Sequence, residues 1–522
     1  MKLQRMSGIL AHVTSLPSPF GIGDAGSSAL NFLNFLEQSE QSCWQILPTV
    51  PTCEHFNHSP YMSSSAFAGN PLLIAPESLR DDGFIYDDDL NDHPSFSPFF
   101  VEFEKVRQFK EKLISIAAAN FQREDSPCRK YAADFERFTK TTKWLRDYAL
   151  FMTAKEVFNQ TAWSEWPVDI AGRNKKALDA FAAEYHDRIT YYSVEQFLFS
   201  MQWKRLKEKA EEKGIQLFGD VPIYVSYDSV DVWVNPNIFF LDKKTFKPIS
   251  VAGVPPDYFS KTGQRWGNPL YDWQSKSPAI RKKIYDWWAA RLAHTFEMVH
   301  LTRIDHFRGF ESYWAVPEDA ETAETGEWLS GPGIRFFDAM KKRLGNINIV
   351  AEDLGIITSE VQDLRDKTGF PGMKVLLFAF DGNPDNAFLP QNYDTPNYVV
   401  YTGTHDNSTA VGWYFEEDRT DEERRQMKSY VNGSLNDNHQ IHQDLIYLAL
   451  SSTAFLSIIP LQDVLGFGND CRMNTPGTTE GNWKWQCSNG YLSGEIRTFL
   501  REATLRFNRG RKTPETSPAQ EK

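Results

Sequence analysis

Midway along the chain stands Met298-Val299-His300-Leu301-Thr302-Arg303-Ile304-Asp305-His306-Phe307-Arg308-Gly309, a short apolar run that stops at an aspartate and then turns. Runs of this length bounded by polar or turn residues suit strands buried on both faces, the habit of parallel sheets. Residues 298–304 are therefore read as a strand with Asp305 at its C-terminal end. Seven more runs share this character, at 8–13, 43–48, 215–219, 347–351, 374–380, 398–404 and 454–461. Helical spacing of apolar residues lies between several of them, for example at 29–36 and at 279–296, where Ser277-Pro278 opens a stretch carrying Ile284, Trp287, Trp288, Leu292 and Phe296 on one side. Eight strands alternating with helices predict an α/β fold of the TIM-barrel (β/α)₈ type.

Two gaps are too long for simple connections, at about 49–214 and 220–297. The first is rich in helical pattern, at 135–158 and 193–213; the second is dense in Pro, Gly, Asp and Trp. In a barrel such insertions crowd the C-terminal face, where active sites sit. The expectation is one catalytic barrel over 1–508 with large, mainly helical insertions, and a disordered polar tail at 509–522.

The chain has 522 residues and a formal net charge of −13, so it lacks the basic surface that binding to nucleic acid or an anionic membrane demands. A neutral ligand fits better. Aromatic residues make up 14% of the chain; most of them fill the core, but such rings also form flat platforms for ligands with one apolar face. Five cysteines, an odd number with no Cys-x-x-Cys pair, argue against a disulfide framework or a zinc site. The apolar run at 9–13 is too short for a secretion signal, and the uncharged stretch 445–461 is divided by Ser451-Ser452-Thr453 and closed by Pro460. It reads as a buried helix followed by a buried strand. A soluble, cytoplasmic protein is expected.

Placed on this strand map, four carboxylates fall at C-terminal strand ends: Asp220 at the third, Asp305 at the fourth, Glu352 at the fifth and Asp406 after the seventh. Any one of them could cap a helix or pair with a nearby Arg303 or Arg308. Four on one rim would converge on a pocket. His and Cys ligands are scarce around them, which disfavours a metal centre. Retaining glycosyl transfer needs one carboxylate to attack an anomeric carbon and another to protonate the leaving oxygen. A third, ionised carboxylate can hold sugar hydroxyls in the oxocarbenium-like transition state. The set matches that demand, and carboxylates at strands four, five and seven are the arrangement of α-amylase-like barrels.

The chain resembles the amylomaltases, the 4-α-glucanotransferase or disproportionating enzymes of the α-amylase-like clan. The resemblance is carried in order by Arg5-Met6-Ser7-Gly8-Ile9-Leu10, Ser15-Leu16-Pro17, Gly21-Ile22-Gly23-Asp24, Ser59-Pro60-Tyr61 and Ser65-Ala66-Phe67-Ala68-Gly69-Asn70-Pro71. It continues through Val254-Pro255-Pro256-Asp257-Tyr258-Phe259, Gly263-Gln264-Arg265-Trp266-Gly267-Asn268-Pro269, the Arg303 to Gly309 stretch, Ala351 to Gly355, Gly403 to Asn407 and Glu480-Gly481-Asn482-Trp483. It implies Asp305 as nucleophile, Glu352 as general acid/base and Asp406 as the carboxylate that stabilises the transition state. It places Arg303, His405 and Asp220 around the bound glucose and Tyr61 under the cleaved ring. Trp266 falls on the acceptor side, with Tyr258 and Phe259 on a loop over the cleft.

The implied activity is transfer of α-1,4-glucan segments from a donor maltodextrin, derived from starch or glycogen, to glucose or another glucan. The implied route is a glycosyl–aspartate intermediate, with no cofactor and no metal. An α-glucan hydrolase of the α-glucosidase kind is the alternative, since the same carboxylates serve both reactions. Glu352 should be raised in pKa by Asp305 and Asp406, and Asp305 lowered by Arg303. The chain departs from the family pattern in the loop 51–58, at Met62 and Ser64, and at Ser408, where an Asp is common. Gly21-Ile22-Gly23-Asp24-Ala25-Gly26 fits GxGxxG, but Pro17 and Pro19 separate it from the strand and Asp24 would repel a pyrophosphate.

Overall fold

The computed structural model describes residues 4–256, 260–431 and 440–511. Eight strands form its centre: β1 (Met6–Leu10), β2 (Cys43–Gln45), β3 (Gln216–Pro222), β4 (Leu301–Asp305), β5 (Ile349–Ala351), β6 (Gly372–Val375), β7 (Tyr398–Tyr401) and β8 (Leu456–Pro460). Each pairs in parallel with its neighbour in chain order except β5 with β6, and β8 pairs with β1. Between β5 and β6 the ring is drawn together by the Ala351 N–H, which donates to the Pro371 carbonyl at 2.8 Å. All eight expected strands are present, within a few residues of the expected bounds. The walls are buried on both faces, which is why the strands read as apolar runs. Gly8 is required by close approach, because a Cβ there would lie 2.4 Å from the Cys43 carbonyl oxygen of the neighbouring strand.

Helices return the chain between strands: α1 (Ser27–Gln38), α2 (His186–Glu212), α3 (Pro278–Met298), α4 (Ile334–Leu344), α5 (Ser359–Thr368), α6 (Ile441–Ser451) and, after β8, α7 (Gly494–Arg506). The Ser277-Pro278 signal is a true start: the Ser277 side chain accepts from the Ile280 N–H and Pro278 is the first helical residue. The stretch 445–461 is a buried helix end followed by β8, as expected. Between β6 and β7 the described chain makes only the short turns Leu376–Phe378 and Pro390–Asn392 instead of an α-helix. Asp381-Gly382-Asn383-Pro384-Asp385-Asn386 and two further prolines break any helical run there.

The barrel helices α2 and α3 lie inside the spans 49–214 and 220–297, so the inserted parts are shorter than those spans. The first is helical, with Phe103–Gln122, Ala132–Thr141, Leu145–Val157 and Lys175–Glu184. The second corrects the expectation of a mainly helical insertion. It contributes the strands Ser250–Val254 and Gln264–Pro269 to an antiparallel sheet completed by Ser312–Pro317 and Glu327–Ser330 from the β4–α4 connection. Alternation along these strands is interrupted by Gly253, Gly267 and their prolines, so no regular period marks them.

The expected start of a disordered tail at 509 is also corrected. Arg509 is fully buried and donates to the carbonyls of Met6, Leu450, Ser452, Ala454 and Phe455. These bonds tie the end of the described chain to the floor of β1 and β8. The rest of that span, 512–522, lies outside the described residues. Among the described residues no helix is long and apolar enough to cross a membrane.

Candidate active site

Asp220 and Arg303 are partners in the β3–β4 register, so their side chains emerge side by side into the barrel mouth. Arg303 Nε donates to both Asp220 carboxylate oxygens at 3.0 Å, and Nη2 donates to Oδ2 at 2.7 Å. Asp305 stands two residues along β4, on the same face as Arg303, and its Oδ1 lies 3.0 Å from Arg303 Nη2. Tyr61, in the connection after β2, donates its hydroxyl to Asp220 Oδ2 at 2.7 Å and accepts from Arg303 Nη2 at 3.2 Å. Its ring stacks on His405 with centroids 5.4 Å apart.

His405 Nε2 lies 2.9 Å from the Tyr61 oxygen and 3.2 Å from Asp406 Oδ2. Because the Tyr61 proton is committed to Asp220, partner chemistry assigns a proton to Nε2, directed at these two oxygens. Burial opposes charge on Asp406, but His405, Asn474 and Arg303 together hold its carboxyl well below the usual range. Asn474 Nδ2 donates to Asp406 Oδ1 at 2.6 Å.

Glu352 follows β5 directly. Its two carboxylate oxygens accept backbone N–H groups, from His306 at 2.7 Å and from Leu354 at 2.8 Å. His306 presents its amide from a left-handed backbone with φ 53°, a conformation uncommon for a residue with a side chain. The two N–H bonds and Arg303 favour the carboxylate, yet burial and the charge of Asp305 outweigh them and raise the pKa of Glu352. Asp305 is also raised, by burial first and then by Asp220 and Asp406, against the pull of Arg303 and His405. Arg303 thus acts in the expected direction without deciding the net shift. A third of the Asp305 side chain remains open to the cleft, so it reaches the place where a ligand would sit. Arg303 lies against the Asp305 carboxylate itself and favours its ionised form, and the charge of Asp305 in turn favours the protonated form of Glu352.

Trp266, on the strand Gln264–Pro269, is half-buried and sets its ring edge-on to His306 at 4.9 Å. The antiparallel sheet therefore brings an aromatic face beside the residue that holds Glu352. Tyr258 and Phe259 lie outside the described residues. The structure thus gathers Asp305, Glu352, Asp406, Arg303, Asp220, Tyr61 and His405 into one linked cluster, with Trp266 at its edge.

Two members of the cluster carry no signal of a role in the sequence. Trp483, part of the Glu480-Gly481-Asn482-Trp483 motif, packs near Tyr61 and His405, with centroids at 5.8 and 6.0 Å. Asn474 sits in an irregular loop after β8, where no sequence period points to it. Of the family departures, His58 stacks on Phe103 at 4.0 Å, and Ser408 hydrogen-bonds Glu416. Among the described residues no group of His, Cys, Asp and Glu is arranged to hold a metal ion. Buried paired carboxylates, one of them against an arginine, beside a cleft can perform acid–base and nucleophilic chemistry at an acetal carbon.

Comparison with known proteins gives this geometry a family. The family model described as 4-alpha-glucanotransferase matches residues 11–492. A 4-alpha-glucanotransferase of Synechocystis is 46% identical over 505 residues, covering 96% of this chain and 97% of its own. One from Thermus thermophilus is 42% identical over 515 residues, covering 97% and 100%. Among solved structures, amylomaltase from Streptococcus agalactiae in complex with acarbose superposes with a TM-score of 0.91 at 38% identity, covering 97% of this chain and all of that one. These relatives are transferases, and they do not favour the hydrolase alternative. On the match of nearly its whole length and on the fold it shares, the chain belongs to the 4-alpha-glucanotransferase family, glycoside hydrolase family 77.

Proposed function

We propose that the enzyme transfers α-1,4-glucan segments by a retaining double displacement in which Asp305 attacks and Glu352 supplies and later removes the proton. The observation that carries this reading is geometric: the Asp305 carboxylate lies 3.0 Å from Arg303 Nη2 and opens to the cleft, while Glu352 beside it is raised by burial and by the charge of Asp305. Asp305 forms a bond to the anomeric carbon as the bond from that carbon to the bridging oxygen breaks. The Glu352 proton passes to that oxygen, and the shortened glucan leaves. Glu352, now a carboxylate, takes the proton from an acceptor hydroxyl, which attacks the same carbon and releases Asp305. Two inversions retain the α configuration.

Asp406 stays ionised beside His405 and Asn474, where it can grip sugar hydroxyls as positive charge grows on the ring. Asp220 is engaged by Arg303, so its part is to fix that guanidinium and Tyr61 beneath the ring. Trp266 supports the acceptor, as do Tyr258 and Phe259 in our reading. Glucose and maltodextrins serve as acceptors, and the donors are maltodextrins or chains from starch or glycogen. No cofactor, nucleic acid or membrane takes part. All five cysteines are unpaired, which suits a reducing cytoplasm. Residues 4–511 act as one catalytic unit whose insertions wall the cleft.

Incubation with maltotriose alone tests the activity. Transfer yields glucose together with longer glucans at constant total reducing ends. An increase in reducing ends without longer products would refute the transferase reading. Mass spectrometry of the enzyme after reaction with a glycosyl fluoride, in a Glu352→Gln background, should find the sugar on the peptide containing Asp305.

A further inference from the structure

Behind Asp406 runs a line of side chains that the mechanism above leaves unused. Asn474, which holds Asp406 Oδ1, has its own carbonyl held by Arg472 Nε at 2.8 Å. The same guanidinium donates through Nη2 to the Asp406 carbonyl at 2.6 Å and through Nη1 to Ser408 Oγ at 3.3 Å. Ser408 Oγ passes its proton toward Glu416 Oε1, so the hydroxyl is satisfied as acceptor and as donor. Glu416 is fixed in turn by Asn469 Nδ2 at 3.2 Å on Oε1 and by Arg419 Nε at 3.3 Å on Oε2. Asn469 closes the circle, accepting from the Thr409 N–H at 3.0 Å.

Arg472 is thus a partly buried cation set between two anions, Asp406 and Glu416. Its Nε donates to the loop that carries Asn474, and its Nη1 and Nη2 donate to the loop that carries Asp406. Without the charge of Glu416, the Arg472 cation would keep only Asp406 as counter-charge, and Ser408 would exchange a charged acceptor for a weaker, neutral one. The carboxyl of Asp406 would then be free to tilt. A group that stabilises a transition state loses effect steeply with small misplacement.

We propose that Glu416 is a positioning residue for the transfer reaction: acting through Ser408 and Arg472, it fixes the angle at which Asp406 meets the sugar. The inference rests on the reading of Asp406 as the carboxylate that stabilises the transition state.

A set of variants assayed on maltotriose tests it. Glu416→Gln keeps the shape and removes the charge; kcat should fall about tenfold while KM stays within about twofold, because the lost interaction belongs to the transition state. Ser408→Ala cuts the same line without touching a charge and should show a similar fall in kcat. Ser408→Asp alone crowds two carboxylates together and should also be impaired. The double variant Ser408→Asp/Glu416→Gln restores a single carboxylate against Arg472 and should return kcat to within about threefold of the parent.

That rescue separates positioning from mere support of the fold, and thermal melting of each variant is measured beside it. Wild-type kcat in Ser408→Ala overturns the proposal, however Glu416→Gln behaves. So does a folded double variant no faster than Glu416→Gln. Asp406→Asn separates the two levels. Full activity there would refute the role of Asp406 itself, whereas an inactive Asp406→Asn beside a normal Ser408→Ala would sink only the part given to Glu416.

Discussion

Arg303 meets Asp220 with two nitrogens and Asp305 with one, and this division sets the chemistry. The bidentate partner is fully buried and committed, while the other keeps a face open to the cleft. Asp305→Asn preserves size and removes the attacking charge. Its kcat should fall by about three orders of magnitude or more while maltodextrin binding, read by calorimetry, survives. A near-normal rate in that variant would assign the attack elsewhere. Glu352 gives a pH prediction with a definite sign. In the proposed role its active form is the protonated one, and burial beside Asp305 raises its pKa, so activity should be present below that raised value and be lost as pH climbs through it. Deprotonation of Asp305 sets the acid side, which makes the profile of kcat/KM a bell. Glu352→Gln should be slow and should lack the alkaline limb; a retained limb would name another acid. The carboxylates were legible because strand ends in a barrel all point to one mouth. Asn474 was not, since its contact with Asp406 spans distant loops and follows no local period.

At the scale of elements, apolar pattern reveals what is buried on both sides and little else. The eight barrel strands obey this, and so does the helix opened by Ser277-Pro278. The antiparallel sheet escapes it. Gln264–Pro269 is mostly half-buried or exposed, and Glu327–Ser330 lies largely open, so neither shows an apolar run. That sheet nonetheless joins the β3–α3 and β4–α4 connections and brings Trp266 to His306. Its position gives the transferase bias a physical basis. In the proposed mechanism a glycosyl–Asp305 intermediate must outlast water at about 55 M, so a sugar has to bind well enough to offset that advantage. Trp266→Ala removes the ring face and should weaken acceptor binding by about 1–3 kcal/mol. Water needs no platform and should lose less. The ratio of hydrolysis to transfer, measured as new reducing ends against glucose released from maltotriose, should therefore rise as total activity falls. Equal loss of both would make Trp266 a packing residue only.

Over the whole molecule, a parallel barrel must bring its last strand back to its first, and here the chain's far end helps to hold that seam. β8 pairs with β1 along five residues of each, Met6↔Leu456 through Leu10↔Pro460, and below this ladder the Arg509 guanidinium spans both strands' entrances. It donates to Met6 and Phe455 on either side of the seam, to Leu450 in the last turn of α6, and to Ser452 and Ala454 in the turn that leads into β8. Arg5 adds bonds to Leu450, Ser452 and Phe507. Among the described residues no carboxylate is bonded to Arg509; its charge is met by carbonyl dipoles, and burial with the nearby Arg5 lowers its pKa. Such a cation is costly to bury and costly to remove, because removal strands several carbonyls together. Arg509→Ala should destabilise the fold by about 2–4 kcal/mol, read as a lower midpoint of urea unfolding. Arg509→Lys restores the charge but not the planar fork, and should recover only part of the loss. The Arg509 contacts lie at the opposite end of the strands from Asp305 and Glu352, so kcat on maltotriose at a temperature where every variant is folded should match the parent. A fall in kcat in the folded Arg509→Ala enzyme would mean that the barrel transmits strain from floor to rim, and the separation of stability from catalysis assumed for this fold would fail here.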